Sequence, residues 1–530
     1  MRSSRAPRAL ALAAGVASLV FVAAAAAHTD SAARPAVALK EGGTITIGMT
    51  QGEPDALDPT LARTFSGREV FTTFCEKLYD LNAKAQIVPE LAAALPAVSK
   101  DKLTVTIKLR KGIKFNDGTP FNAAAVVKSL QRDQTLPKSA RASEIAPIES
   151  VTASGQYTVV IHLKAPYSPL TAQFADRSGM VMSPAQLDKL GDKFATNPIC
   201  VGPFMYDNRV AGDTITVVKS PYYYAKNKVH LSKVVFKVAN DAAAAAAALR
   251  AGDLQALDAV DSTQLQSVTH DPNLRTIKQT SLGYQGVTLN LGNVHGLGKG
   301  YSNTGTAIAA HPELRKAFEE AIDRKALNKV VFGGTVLPGC TPVSPASSWY
   351  DPSVKCTPFN PTDAKKLVQQ SGVANPTVHL MVATGTVNLR QAQFLQAEEA
   401  NVGIHVVIDS IDFPTALNRA DAGNYETFQI GWSGRVDPDG NIYQFVATSG
   451  SQNDSGYSRP KLDLILNNER KATSLGARKT LFRGAQQVIL QDRPLIYLYH
   501  AVARAGLSKQ LTGVQLYPDT LLRLSFAQFK

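Results

Sequence analysis

Residues 103–130 read LTVTIKLRKGIKFNDGTPFNAAAVVKSL, and they contain a strand, a turn and a helix in succession. Leu103, Val105, Ile107 and Leu109 alternate with Thr104, Thr106 and Lys108, the period-two pattern of a strand with one buried face. Asn116-Asp117-Gly118 turns the chain, and Asn122 is placed to cap a helix that carries Val126, Val127 and Leu130.

The same grammar extends in both directions. Upstream, GGTITIGM (42–49) alternates as a strand, and VFTTFCEKLYDL (70–81) carries apolar residues at helical spacing. Downstream, QYTVVIHLKAP (156–166) is another strand, and GPFMYDNRVAGDTITVVKSPYYY (202–224) reads as a hairpin turning at Gly212-Asp213. The alanine run in NDAAAAAAALRAGDLQALDAV (240–260) is a short helix rather than low complexity, because Asn240 or Asp241 can cap it and Gly252 can end it. HPELRKAFEEAI (311–322) puts Leu314, Phe318, Ala321 and Ile322 on one face, and Asp323 can cap the helix after it. Helices are expected over 360–372 and 390–403, the second feeding the strand IHVVIDSI (404–411), and again over 461–472 and 477–492 before the apolar run 494–507. Strands alternating with helices predict α/β lobes.

The N-terminus predicts a secretory signal: Arg2, Arg5 and Arg8 precede an Ala/Leu/Val run that closes on Ala25, Ala26 and Ala27. Cleavage is expected near Ala27, without a twin-arginine pair or a lipid-accepting cysteine, giving a periplasmic or secreted protein with a flexible leader to residue 40. About 500 remaining residues exceed what one core organises, so two or more lobes are expected. The formal net charge of +13 includes the three arginines of the signal, and the rest is spread without basic blocks, so no nucleic acid is expected as a partner. Four cysteines in an exported chain predict disulfides. Cys340 and Cys356 flank a proline-rich loop and are expected to close it, leaving Cys75 with Cys200.

No H-E-x-x-H, P-loop or G-x-S-x-G motif occurs; GWSG (431–434) meets Arg435 where the elbow needs glycine. The histidines are scattered, and no C-x-x-C occurs, so no metal is expected. Asp437, Asp439 and Asn441 resemble part of a calcium loop, but the glycine is early and residue 448 is Thr where the bidentate Glu belongs. As a glycosidase pair, Asp437 and Asp439 lie two residues apart and leave no room for substrate. No catalytic residue and no cofactor are expected.

Taken together, LTVTIKLRKGIKFNDGTPFNAAAVVKSL, VGPFMYDNRVAGDTITVVKSPYYY, HPELRKAFEEAIDRKAL with Gly333-Gly334, and YETFQIGWSGRVDPDG (425–440) resemble the extracellular solute-binding proteins that serve peptide, opine and nickel ABC importers. The resemblance runs from about Gly42 to the C-terminus. It implies a two-lobed α/β clamshell: lobe I from 41–80 and 200–290, a lobe I subdomain at 81–199, lobe II at 291–503, and a tail, 504–530, returning to lobe I. The implied function is capture of a short peptide or peptide-like anionic solute between the lobes by a monomer, with delivery to a membrane permease. An opine, a modified sugar or a metal chelate is the alternative ligand, and an exported hydrolase or an adhesion protein the alternative class.

The same resemblance places ligand residues. Peptide-binding relatives carry an aspartate three residues after the tryptophan of the G-W segment, to meet the peptide's amine; here that position, counted from Trp432, is Arg435. Three readings stay open. Arg435 binds a ligand carboxylate as a fork; Asp437 or Asp439 takes over the amine; or Arg435 pairs with one of those aspartates, whose Asp-Pro-Asp-Gly order also fits a type I turn. The further candidates are Arg63, Phe65, Ser66 and Arg68 after the first strand, Tyr284 and Gln285 near the hinge, Arg390 at a helix start, and Trp432 as an apolar wall.

Overall fold

The computed structural model describes residues 40–530; the expected signal segment, 1–27, and the leader up to residue 39 lie outside the described residues. Among the described residues no helix is long and apolar enough to cross a membrane.

Two sheets form the framework. The first has seven strands in the order Leu274–Thr280, Val502–Ser508, Ala256–Leu257, Thr44–Met49, Lys233–Val238, Thr214–Lys219 and Phe204–Val210. The second has six, in the order Leu337–Pro338, Leu495–His500, Tyr284–Leu289, Thr427–Trp432, Thr377–Ala383 and His405–Ile411. An antiparallel four-stranded sheet, Ala97–Val98, Thr104–Lys108, Thr158–Leu163 and Ile148–Ala153, forms a subdomain with helix Ala123–Thr135.

The local reading of 103–130 explains that subdomain. Val105, Ile107 and Leu109 are buried while Lys108 is exposed, so the alternation selects the core face. Asn122 Oδ1 accepts the Ala125 N–H at 3.1 Å and starts the helix, whose Val126 and Leu130 close the same core. The alanine run is helix Ala242–Ala251, begun by Asp241 accepting the Ala244 N–H at 2.7 Å and ended by Gly252.

The apolar run 494–507 is not one strand but two. Leu495–His500 lies inside the second sheet and Val502–Ser508 inside the first, so the chain crosses between lobes at Ala501. The other crossing is Ser281–Gly283, and the two lie side by side, the Ser281 N–H donating to the Ala501 carbonyl at 2.9 Å. Strand Tyr284–Leu289, which the sequence reading put before a boundary at residue 291, is a central member of the second sheet, paired with Thr427–Trp432 and Leu495–His500. Its apolar alternation is that of a strand flanked on both sides, and this pairing moves the crossing upstream. Gly283 is required where it stands, because a Cβ there would come within 1.8 Å of the Trp432 carbonyl oxygen.

Both expected disulfides are present, Cys75–Cys200 and Cys340–Cys356. The first ties the end of helix Phe65–Phe74 to the segment entering Phe204–Val210. A loop of about 15 residues gains roughly 3 kcal/mol from closure and one of about 100 residues roughly 4.7. Replacing Cys75 and Cys200 by Ser is therefore expected to lower the melting temperature more than replacing Cys340 and Cys356, as calorimetry of the two double variants checks.

Glu399 is 0% exposed, and neither carboxyl oxygen has a partner. Burial, and then the charge of Glu398, push its carboxyl well above the usual range. A group raised in the folded state stabilises below its unfolded pKa and loses that contribution as pH rises toward the folded one. Glu399→Gln, neutral throughout, is expected to melt higher than wild type at pH 8 and to lose the advantage at pH 4.

Candidate ligand-binding cleft

Strand Thr427–Trp432 delivers the chain to the junction between lobes, with Trp432 opposite Tyr284 in the ladder. Beyond it, Asp437 Oδ1 accepts the Asp439 N–H at 3.0 Å and Pro438 leads directly into helix Asp439–Val446. The expected type I turn is thus a helix entrance. Proline lacks the N–H that a first helical turn leaves unpaired, which suits it to this place.

Both aspartates are engaged by arginines of the second lobe. Arg478 donates to both oxygens of Asp437, at 2.7 and 2.8 Å, and Arg470 to both oxygens of Asp439, at 2.6 and 3.0 Å. Such bidentate pairs are among the strongest polar contacts a protein makes. Gln173 Nε2 from the subdomain also donates to Asp439, at 3.1 Å, and Val436 packs against the subdomain core. The lobes meet elsewhere along this edge too, where the Ser168 N–H and Oγ donate to the carbonyls of Arg470 and Ala472 at 2.9 and 2.7 Å.

Arg435 pairs with neither Asp437 nor Asp439. Its Nε lies 3.0 Å from Asp176 of the subdomain, and its guanidinium stacks on Trp432, 4.1 Å from the ring centroid. Asn441 fixes the backbone of the loop: its Oδ1 accepts from the Arg435 N–H at 2.6 Å and from Trp432 Nε1 at 3.1 Å. Asp176 is shared further, by Arg68 at 2.7 Å and Arg177 at 3.3 Å. Burial alone pushes the Asp176 carboxyl up, but Arg435, Arg68 and Arg177 overcome this and hold it well below the usual range. Beside it, Arg141 pairs with Glu144 at 2.5 Å, while burial pushes the neighbouring Asp133 up to about 8 and keeps it neutral at pH 7.

Four guanidiniums, Arg68, Arg141, Arg177 and Arg435, therefore face two paired acids, Glu144 and Asp176. Burial and the neighbouring Arg141 pull Arg177 down to about 9, the Asp176 carboxylate notwithstanding, and burial pulls Arg435 well below its usual value. Nη2 of Arg177 and Nη2 of Arg435 are buried without a partner. Excess positive charge in a desolvated place costs several kcal/mol unless an anion is supplied.

The remaining candidates spread over the interface. Arg63 reaches across to Asp421 at 2.6 Å, and Arg390 crosses the other way to Asp261 at 3.1 Å, rather than pointing to solvent as its helix position would permit. Arg68 Nη1 donates to Ser433 Oγ at 2.8 Å. Phe65 is half-buried, and Ser66 is buried with its hydroxyl unpartnered, both in the first turn of helix Phe65–Phe74. Gln285 lies over Gly431, where a Cβ would stand 2.1 Å from its Oε1.

Trp432, Tyr284 and Phe445 form an edge-to-face aromatic wall, with Trp432 and Tyr284 centred 4.8 and 6.3 Å from Phe445. It borders a cavity with about 650 Å³ free of atoms, whose other sides include Arg63, Phe413, Leu417, Asp454 and Ser455. Asp454 faces Asp421 around Arg63; burial first, and then the Asp421 charge, push its carboxyl up to about 7.

Sequence reasoning did not single out Asp176, Arg177, Asp421, Asp454, Arg470 or Arg478. The available signal was charge inside otherwise apolar helical faces: Arg470 and Arg478 are buried in helices Pro460–Lys471 and Leu475–Asp492, where a lone arginine requires an acid.

Comparison with known proteins bears on the family and the fold. The family described as bacterial extracellular solute-binding proteins, family 5 Middle, matches residues 86–454. The chain is 28% identical over 505 residues to the glutathione-binding protein GsiB of Pectobacterium atrosepticum, covering 92% of this chain and 94% of that one. The oligopeptide-binding protein AppA of Bacillus subtilis, solved with a nonapeptide, superposes with a TM-score of 0.83 at 20% identity, covering 93% of this chain and 100% of AppA. NikA of Staphylococcus aureus, solved with Ni(L-His)2, gives 0.81 at 18%, covering 92% and 100%. At these identities the solved structures establish the fold, two α/β lobes around a cleft. With the match spanning most of its length, the chain belongs to family 5 of the bacterial extracellular solute-binding proteins, a family of receptors rather than enzymes.

Proposed function

We propose that the protein captures a short peptide or peptide-like anionic solute between its lobes and delivers it to the permease of an ABC importer. The guanidinium excess around Asp176 carries this reading. Nη2 of Arg177 and Nη2 of Arg435 are among the buried, unpartnered arginine nitrogens there, and a ligand carboxylate accepting from both supplies them with acceptors and offsets the charge. The relatives agree in chemistry, since GsiB is named for binding glutathione, itself a peptide bearing more than one carboxylate.

Closure is then selected by ligand. Arg435 belongs to the second lobe and Asp176 to the first, so bringing the lobes together gathers like charges that a bound anion offsets. The protein acts as a monomer, is exported through the segment ending near Ala27, and binds its permease through the closed form; no cofactor takes part.

Mass spectrometry of small molecules released from the purified protein is expected to find a carboxylate-bearing solute, and a neutral sugar would overturn the anion reading. For glutathione or an acidic peptide so identified, Arg435→Ala is expected to lower affinity at least tenfold, about 1.4 kcal/mol. Arg435→Lys is expected to recover only part of it, because a lysine cannot form the fork. Unchanged affinity in Arg435→Ala would remove Arg435 from the site.

A further inference from the structure

We infer that the cavity beside Trp432 holds the ammonium group of the ligand, with Asp454 as its counter-ion, so that the solute is a zwitterion with an apolar flank. This rests on the anionic-solute reading above and adds a second pole to it.

The acids that the sequence offers for an amine, Asp437 and Asp439, are already engaged by Arg478 and Arg470. Of the carboxylates with a buried, unpartnered oxygen among the described residues, half-buried Asp454 is the one that lines this cavity. Ser455 lines it too, is 2% exposed, and has no partner for its hydroxyl. Two neighbouring acceptors thus face the same space.

Charge points the same way. Asp421 and Asp454 confront a single guanidinium, that of Arg63, which is committed to Asp421 at 2.6 Å. One further cation balances the group, and without it Asp454 holds a proton well above the usual carboxylate range. An ammonium can donate to Asp454 Oδ1 and Ser455 Oγ together, whereas a second carboxylate would meet two acids. The walls select what flanks that ammonium: Tyr284, Phe413, Leu417, Trp432 and Phe445 are apolar or aromatic, and an aromatic face attracts a cation.

The two poles are linked through one side chain. Trp432 lines the cavity, and the Arg435 guanidinium stacks on its ring. A solute whose carboxylate lies at Arg435 and whose ammonium lies at Asp454 spans that indole. This is the charge pattern of a free peptide with an apolar N-terminal residue, reached through an acid different from the one three residues past the tryptophan.

A casein peptone, native and exhaustively N-acetylated, tests this by thermal shift on the full mature chain. Native peptone is expected to raise the melting temperature of the wild type, and acetylation to abolish most of that shift. In Asp454→Asn the two preparations are expected to act alike, and Ser455→Ala, which leaves every charge in place, is expected to narrow the gap. Equal shifts of the wild type by both preparations overturn the ammonium site while leaving the anion site standing. No shift by either overturns the peptide-like anion reading and this inference with it.

Discussion

A carboxylate removed from water must be matched by positive charge, and Asp176 is matched by three guanidiniums from both sides of the cleft. The interface is organised around that group. Arg68 and Arg177 hold it from its own lobe. Arg435 comes with the second lobe, already oriented by Trp432 and Asn441. Where the lobes meet there is a local surplus of guanidinium groups, and on the function proposed above the solute that offsets it sets the selectivity of the receptor.

The Asp-Pro-Asp-Gly segment contributes rigidity to this arrangement. Its aspartates are clamped by arginines from two successive helices, so the loop bearing Arg435 cannot drift relative to helices Pro460–Lys471 and Leu475–Asp492. A guanidinium on a mobile loop would relax toward the nearest acid and lose its selectivity; one on a braced loop presents the same geometry to every solute. The structural use of these aspartates complements the ligand-facing use proposed for Arg435.

The sequence discloses what depends on neighbours along the chain. Val105, Ile107 and Leu109 identify their buried face by alternation, Asn122 and Asp241 announce helix starts, and Cys340 with Cys356 encloses a loop short enough to pair by inspection. Arg435 is conspicuous because its position in the G-W segment is familiar. Its partner is not, because Asp176 lies in FADRSG, a stretch without periodicity, and meets Arg435 only after the subdomain and second lobe have both formed. Asp454 and Asp421 are hidden for the same reason, Arg63 and Asp421 being 358 residues apart. The lobe boundary near residue 284 escapes notice because a strand's pattern reports its burial and not the sheet to which it belongs.

Leu495–His500 and Val502–Ser508 are adjacent in the chain yet interior to different sheets, each bordered by strands made hundreds of residues earlier. The first lobe is therefore made of two separated pieces of polypeptide and the second is inserted between them as residues 284–500, yet neither sheet is complete until almost the whole chain is available. A ribosome-bound or truncated chain ending before residue 495 lacks an interior strand of each sheet, so both lobes are incomplete in it. Completion of both sheets consequently waits on the same short stretch near the C-terminus.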